Sequence, residues 1–476
     1  MPVFRPGHIV ALPPGVVIAA RHTGGEARAP VFGGVEIEGP LGAALERAGL
    51  RTELSVPVRD LRATATVTAT AGTEAALELT VPAPPVDEAQ VVLEADDTGI
   101  VRWHFARRAT TTGARRSGAA TQTFEIPVEQ YAPPAPTAAR RALLGFGLGK
   151  ILHVLRFPVE WSAGGVARSV SALWERRHRP YGLWEAGAAY FEHAARPLDA
   201  RWFDGRTGPI LLLVHGTFST GYSGFAGLAA DPAFLSRAQQ RYSGAVLAFD
   251  HPTLHDDPAA NVRRLLERLP AGRPLRFHVL GHSRGGLVAR LLGDHRLAAA
   301  ARRPPPVVER LIHVATPNAG TVLARLDRLR DLLDVATNMT ALRLDDAAEP
   351  VLEIVKDVAT GALAGLPGIA AMDPGGPWLA ALNDQPRPAG AAVHAIAADF
   401  EPGDDAPPAL RVLDGLADAL FAGANDLVVP TEGVYRAGQY RVDAPLTLTG
   451  ARPAVAHTGY FGDQQVRDVI CGWLGA

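Results

Sequence analysis

The sequence predicts an α/β chain: a doubly wound, mostly parallel sheet preceded by a small all-β domain. Three observations carry that expectation. From 210 to 293, continuously apolar runs alternate with segments of helical period, as they do when parallel strands are buried on both faces and crossed by helices. One of these apolar runs, Leu275 to Leu280, ends in Gly281-His282-Ser283-Arg284-Gly285 and passes at once into a helix-like run, Gly286 to Leu292. The first 131 residues instead hold short alternating runs separated by turn residues, the pattern of a small sandwich or barrel.

The bulk properties agree with this division. At 476 residues the chain is too long for one ordinary core. Hydrophobic residues make up 47% and charged residues 20%, and the formal net charge of −2 gives no reason to expect a nucleic-acid partner. The single cysteine, Cys471, excludes an intramolecular disulfide. Met1-Pro2-Val3-Phe4-Arg5-Pro6 is not a charged region followed by an apolar one, and no run reaches the roughly 18 apolar residues of a membrane span. The expectation is therefore a cytoplasmic chain.

Taken in order, the expected strands of the first domain (1–131) are Thr64–Thr70, Ala76–Val81, Gln90–Glu94, Gly99–Phe105 and Gln122–Val128. No chemistry is legible in them, so a structural or docking role is favoured over binding of a lipid, sugar or protein. Tyr131-Ala132-Pro133-Pro134-Ala135-Pro136-Thr137 begins a Pro-rich linker and helical connector spanning 132–200. Within it, Gly145–Lys150 lacks the spacing and hydroxyl residue of a phosphate-binding loop. Leu143–Val159 has an apolar face with basic flanks. Packing on the following domain is the favoured reading, and peripheral membrane contact is the alternative.

The C-terminal domain is expected over 201–476. Ile210–Val214 reads as a buried strand ending at His215-Gly216-Thr217, and Ala245–Asp250 as the next. Asp257 and Pro258 are suited to the N-cap and first position of a helix carrying Val262, Leu265, Leu266 and Leu269 on one face. His251, His255, Asp256 and Asp257 could suggest a metal, but the loop setting and the missing third histidine favour solvated polar groups. No metal or organic cofactor is expected. Arg310–Ala315 is a further strand, ending at a structural Thr316-Pro317-Asn318. Helical periodicity dominates an insertion at about 319–383, and Ala392–Ala398 is a later strand. A closing helix follows over Asp463–Leu474.

Ser283 is the candidate nucleophile. A sharp strand-to-helix turn exposes such a hydroxyl, and Gly281 and Gly285 leave room for the turn. With ten serines and 49 glycines in 476 residues, chance supplies only about 0.1 such pentapeptides. At this point the chain resembles the α/β-hydrolases, in their lipase and esterase branch. Gly281-His282-Ser283-Arg284-Gly285-Gly286 is similar to the branch's nucleophile elbow, and Ile210–Thr217 to the strand and His-Gly loop that supply half of its oxyanion hole. Asn425-Asp426-Leu427-Val428-Val429-Pro430 resembles the loop that carries the acid, and His457-Thr458-Gly459 the histidine loop. The resemblance covers roughly 200–476.

It implies a serine hydrolase of carboxylic esters, with a small-molecule or lipid ester as substrate. Ser283 would be nucleophile, His457 base and Asp426 acid, and the oxyanion would be held by the backbone N–H groups of Thr217 and Arg284. Asp399, at the end of its strand, is the runner-up acid, with Asp404 and Asp405 just beyond. His215 is expected to orient its turn. The insertion at 319–383 is either a lid with an apolar underside or a plain helical layer. A thioesterase, amidase or acyltransferase would use the same three residues, because the leaving group is not encoded in them. A non-catalytic lipid- or protein-binding module would need none of them.

Overall fold

The computed structural model describes residues 2–63, 76–107, 120–128, 149–160, 169–195, 197–198, 200–344, 348–363, 365–385, 387, 390–442, 444–449 and 454–476. The expected strand Thr64–Thr70, the linker Tyr131–Thr137 and most of Gly145–Lys150 lie outside them. The chain forms two compact units. One holds Met1–Ser171, Ala336–Arg343 and Ala348–Leu363, and the other Ala172–Val335, Leu344–Ala347 and Ala364–Ala476.

The first unit contains two antiparallel sheets. In one, Thr121–Pro127, Ala76–Pro82, Val16–Arg21 and Ile9–Leu12 lie side by side in that order. In the other, Val3–Phe4, Thr23–Ala27, Arg51–Ala63, Lys150–Pro158, Glu88–Asp96 and Val101–His104 follow one another, with Val31–Phe32 also on Arg51–Ala63. Alternation does the work the sequence suggests: Val16, Ile18 and Ala20 point inward from one strand, and Leu77, Leu79 and Val81 from its neighbour. They meet Leu54, Val56, Val58, Val92, Leu152 and Val154 of the second sheet in one apolar core.

Lys150–Pro158 corrects the helical connector expected across 132–200. It is a strand paired on both edges. Leu152 to Leu155, His153 included, are all buried, so the run shows no inside-outside alternation, and such a run has no period that separates strand from helix. Helix within this stretch is limited, among the described residues, to Val170–His178, Ala188–Phe191 and a 3-10 turn at Ala200–Phe203. The helix Gly39–Arg47 was not expected either.

The outermost strand, Val101–His104, would leave backbone groups unpaired at its free edge. The Asn338 side chain fills that need: its Oδ1 accepts from Val101 N at 2.8 Å and its Nδ2 donates to Val101 O at 2.8 Å. Trp103, fully buried, donates from Nε1 to Thr337 Oγ1 at 2.8 Å. The helix Ala348–Thr360 packs on Glu88–Asp96 and on Gly39–Arg47, with Val351, Leu352, Ile354 and Val355 buried. The insertion expected at 319–383 is therefore divided between the two units.

The second unit is built on a seven-stranded mixed sheet. Its strands are β1 (Gly182–Glu185), β2 (Ile210–Val214), β3 (Val246–Asp250), β4 (Arg276–His282), β5 (Val307–Val314), β6 (Ala392–Ala398) and β7 (Leu446–Leu448). Their order is β1-β3-β2-β4-β5-β6-β7. Only β1–β3 is antiparallel, and the other five pairings are parallel. All five residues of β2 are buried, as a strand covered on both faces requires.

Helices α1 (Pro258–Leu266) and α3 (Gln464–Leu474) begin at side-chain caps, whereas α2 (Arg284–Arg290) starts directly after Ser283 without one. Asp257 accepts from Ala260 N at 2.7 Å, and Asp463 from Val466 N at 3.0 Å. Among the described residues no helix is long and apolar enough to cross a membrane.

Removing the Asn338 amide orphans two buried backbone groups of Val101. Asn338→Ala is expected to lower stability by about 2–4 kcal/mol in denaturant unfolding. A loss near zero would mean that this edge is satisfied in another way.

Candidate active site

Ser283 sits where β4 gives way to α2, at φ 52° and ψ −134°. That backbone conformation is sparsely populated for any residue with a Cβ. Two neighbours make the turn feasible. A Cβ on Gly281 would lie 2.7 Å from Gly286 Cα, and one on Gly285 would lie 2.1 Å from the Val214 carbonyl oxygen. The strand is anchored at this point, because Ser283 N donates to Val314 O of β5 at 2.8 Å.

The structure brings Ser283, His457 and Asp426 together. Ser283 Oγ lies 2.8 Å from His457 Nε2, and His457 Nδ1 lies 2.9 Å from Asp426 Oδ2. With the Nδ1 proton directed to the carboxylate, Nε2 is left to accept the serine proton. All three are buried: Ser283 is 5% exposed, His457 6% and Asp426 1%, so little water competes for these contacts. The backbone repeats the pairing, as His457 N donates to Asp426 O at 2.9 Å.

The Asp426 carboxylate makes further bonds. Oδ1 accepts from Val428 N at 3.1 Å and Val429 N at 2.8 Å, and Oδ2 also accepts from Tyr460 Oη at 2.9 Å. The other acidic candidates lie elsewhere. Asp399 Oδ1 accepts from Asn425 N at 3.2 Å, bracing the loop that carries Asp426, while Asp404 and Asp405 are exposed.

Thr217 follows the end of β2. Its side chain reaches Met372 Sδ at 3.9 Å. Arg284 opens α2 beside Ser283. Among the described residues no acceptor engages the backbone N–H of Thr217 or Arg284. His215 holds the Thr217 loop from behind: Nδ1–H donates to Gly216 O at 3.0 Å, and Nε2 accepts from His251 N at 3.2 Å. It is wholly buried, which pushes its pKa down to about 3, so it stays neutral.

Side chains to which the sequence assigns no role, those of His282, Arg284 and Glu175, complete the surroundings. His282 Nε2 donates to His457 O at 2.9 Å, and burial holds its pKa down at about 4. The Arg284 guanidinium, fully buried, donates from Nε to Gly368 O at 2.9 Å and from Nη2 to Asn261 Oδ1 at 2.9 Å and Asp256 O at 2.5 Å. Burial lowers its pKa to about 10.

Glu175 collects the loop 253–255, accepting from Thr253 N at 2.6 Å, Leu254 N at 2.8 Å and His255 N at 2.9 Å. Burial opposes its charge, yet the bonds from His255, Leu254 and Thr253 hold its carboxyl below the usual range. No local pattern marks these side-chain roles: His282 and Arg284 stand in the elbow motif, but the motif speaks only for the Arg284 backbone N–H, and Glu175 stands in no motif.

The histidine and aspartate group near 251–257 has other tasks. His251 Nδ1 donates to Phe249 O at 3.2 Å, His255 faces Glu175, and Asp257 caps α1. Among the described residues no cluster of three or more His, Cys, Asp or Glu side chains suited to a metal occurs. Asn318 of Thr316-Pro317-Asn318 bonds Val434 O at 2.6 Å and Arg290 Nη1 at 3.1 Å.

Buried neutral histidines make this unit sensitive to acid. His215 and His313 have pKa values pushed to about 3, His282 to about 4 and His251 well down, all by burial. In the unfolded chain each returns to about 6.5. A depressed histidine gives its full stability above about pH 6.5, and that stability is lost as the pH falls toward 4, because only the unfolded state takes up the proton. Urea midpoints are expected to fall steadily from pH 6.5 to 4, each histidine adding up to about 1.4 kcal/mol per pH unit. His313→Gln should flatten that slope, and an unchanged slope would refute the assignment.

A family model described as a domain of unknown function, DUF7379, matches residues 178–475. No curated protein matches the chain in sequence. Similar solved structures include EstA from Clostridium botulinum, at 11% identity over 59% of this chain and 90% of that one, with a TM-score of 0.36. Lipase 1 from Pelosinus fermentans is 12% identical over 55% of this chain and 98% of its own, also with a TM-score of 0.36. Staphylococcus hyicus lipase is 12% identical over 53% and 89%, with a TM-score of 0.33.

Proposed function

The chain belongs to the DUF7379 family, and we propose that it is an α/β-hydrolase with a doubly wound sheet that cleaves carboxylic esters through an acyl-enzyme. The observation that carries this reading is the unbroken line of contacts Ser283–His457–Asp426, with the serine on a strained turn at the carboxyl ends of parallel strands.

In this reading Ser283 Oγ attacks the ester carbonyl carbon while His457 Nε2 takes its proton, which makes a poor nucleophile effective. Asp426 keeps the imidazole in the tautomer with Nδ1 protonated and stabilises the imidazolium that forms. The negative charge that gathers on the carbonyl oxygen is met by the amides of Thr217 and Arg284, each contributing about 3 kcal/mol to the transition state. His457 passes its proton to the departing alcohol oxygen. Water then attacks the acyl carbon, giving its proton to His457, and Ser283 leaves with that proton restored.

The buried undersides of the two oxyanion elements favour this role. His215 fixes the loop before Thr217, and the Arg284 guanidinium ties the start of α2 to Gly368, Asn261 and Asp256. Donors held in place before the reaction need no rearrangement during it.

A fluorophosphonate is expected to form an adduct on Ser283, located by peptide mass mapping, and His457→Ala should abolish it. Hydrolysis of p-nitrophenyl esters should vanish in Ser283→Ala and fall by about 10⁴ in Asp426→Asn, with folding retained. A folded wild-type chain that neither labels nor turns over ester, with or without a lipid interface, would refute the proposal.

A further inference from the structure

The Asp426 carboxyl group lies at a place with 1% exposure, so its polar oxygens depend on hydrogen bonds there. Its two oxygens divide the task unequally. Oδ1 is held by two backbone amides, Val428 N and Val429 N, which the turn itself provides. Oδ2 is held by two side chains, His457 Nδ1–H and Tyr460 O–H, both at 2.9 Å. One of these donors changes its charge in the proposed reaction. The other does not.

Tyr460 lies three residues beyond His457, in the short helical turn Tyr460–Gly462 that precedes α3. It is wholly buried. A phenylalanine would fill nearly the same volume without a polar atom, so the hydroxyl is what distinguishes this position. Burial, then the facing Asp426 carboxylate, pushes its pKa well above the ordinary tyrosine value, so the group remains a proton donor.

We infer that Tyr460 is a positioning residue, whose hydroxyl fixes the orientation of Asp426 and shares its charge, so that Oδ2 meets His457 at the angle general-base catalysis needs. The inference rests on the hydrolase reading above. Three further contacts show how little freedom the base is left. His457 N donates to Asp426 O, His457 O accepts from His282 Nε2 at 2.9 Å, and the His282 ring lies 5.3 Å from the His457 ring. The histidine is thus held at its ring, its amide and its carbonyl. The acid that orients it is held by the turn on one side and by Tyr460 on the other.

Loss of the hydroxyl has two consequences. The carboxylate is freer to turn about its χ angles, which misdirects Oδ2. The charge formerly shared with Tyr460 then falls on the single remaining side-chain donor, His457 Nδ1–H.

The test uses the full chain with Tyr460→Phe, Asp426→Ala and the double variant. Steady-state kinetics on a short p-nitrophenyl ester are combined with proton NMR of the low-field Nδ1–H resonance, assigned by its loss in His457→Gln. Tyr460→Phe is expected to lower kcat about tenfold, with KM changed less than about twofold, and to move the resonance downfield. In the Asp426→Ala background the same substitution should cost nothing further, because the group it acts through is gone.

An unchanged kcat and resonance would overturn the inference. So would an equal loss of kcat in both backgrounds, which marks a packing role. If the wild-type chain is inert toward ester and fluorophosphonate, the hydrolase reading falls, and the resonance alone still decides whether Tyr460 governs the Asp426–His457 contact.

Discussion

The reversal of the chain at Ser283 is the constraint on which the second unit depends. A strand and a helix, both buried, must join through one residue at φ 52°. The conformation is unfavourable by itself, of order 1–3 kcal/mol, and persists because its surroundings are already determined. β4 is paired along both edges, with β2 and with β5. α2 is buried along its whole length, with Gly285 against the Val214 carbonyl. Neither element can shift to relieve the turn, so the hydroxyl is presented at a fixed place.

Charge in this unit is managed by two opposite means. The core histidines are kept neutral by desolvation, and the single ring N–H of His215 is directed at Gly216 O and that of His251 at Phe249 O. The buried carboxyl and guanidinium groups are instead satisfied by several hydrogen bonds each. Glu175 gathers three consecutive amides, Asp426 four donors, and Arg284 three acceptors from separate segments. Such groups specify geometry more than they add stability, because desolvation consumes much of what the bonds return. Around this site geometry is what the proposed chemistry requires.

The legible parts of the sequence were those where a local rule admits few residue types. A turn that tolerates no Cβ demands glycine at 281 and 285, and a strand covered on both faces demands an uninterrupted apolar run at 210–214. Asp257 announces a helix start for the same reason. What stayed hidden depends on distant partners. Nothing near Tyr460 indicates that its hydroxyl meets Asp426, and nothing near Arg284 indicates that its side chain reaches Gly368, since the partners are set by the folded sheet and not by spacing. Lys150–Pro158 does not declare itself a strand, because a run buried on both faces carries no period, and its neighbours Arg51–Ala63 and Glu88–Asp96 are far away in sequence.

The edge of the first unit's sheet illustrates a dependence of another kind. Val101 finds its partner in Asn338, 237 residues later. A ribosome makes the chain from the amino end, at about 5–20 residues per second. The strand that Asn338 closes therefore waits on the order of ten seconds or more for the residue that completes it. During that interval its exposed backbone edge is open to any other strand, and nascent chains of this length, not the finished protein, are the species in which mispairing has its opportunity.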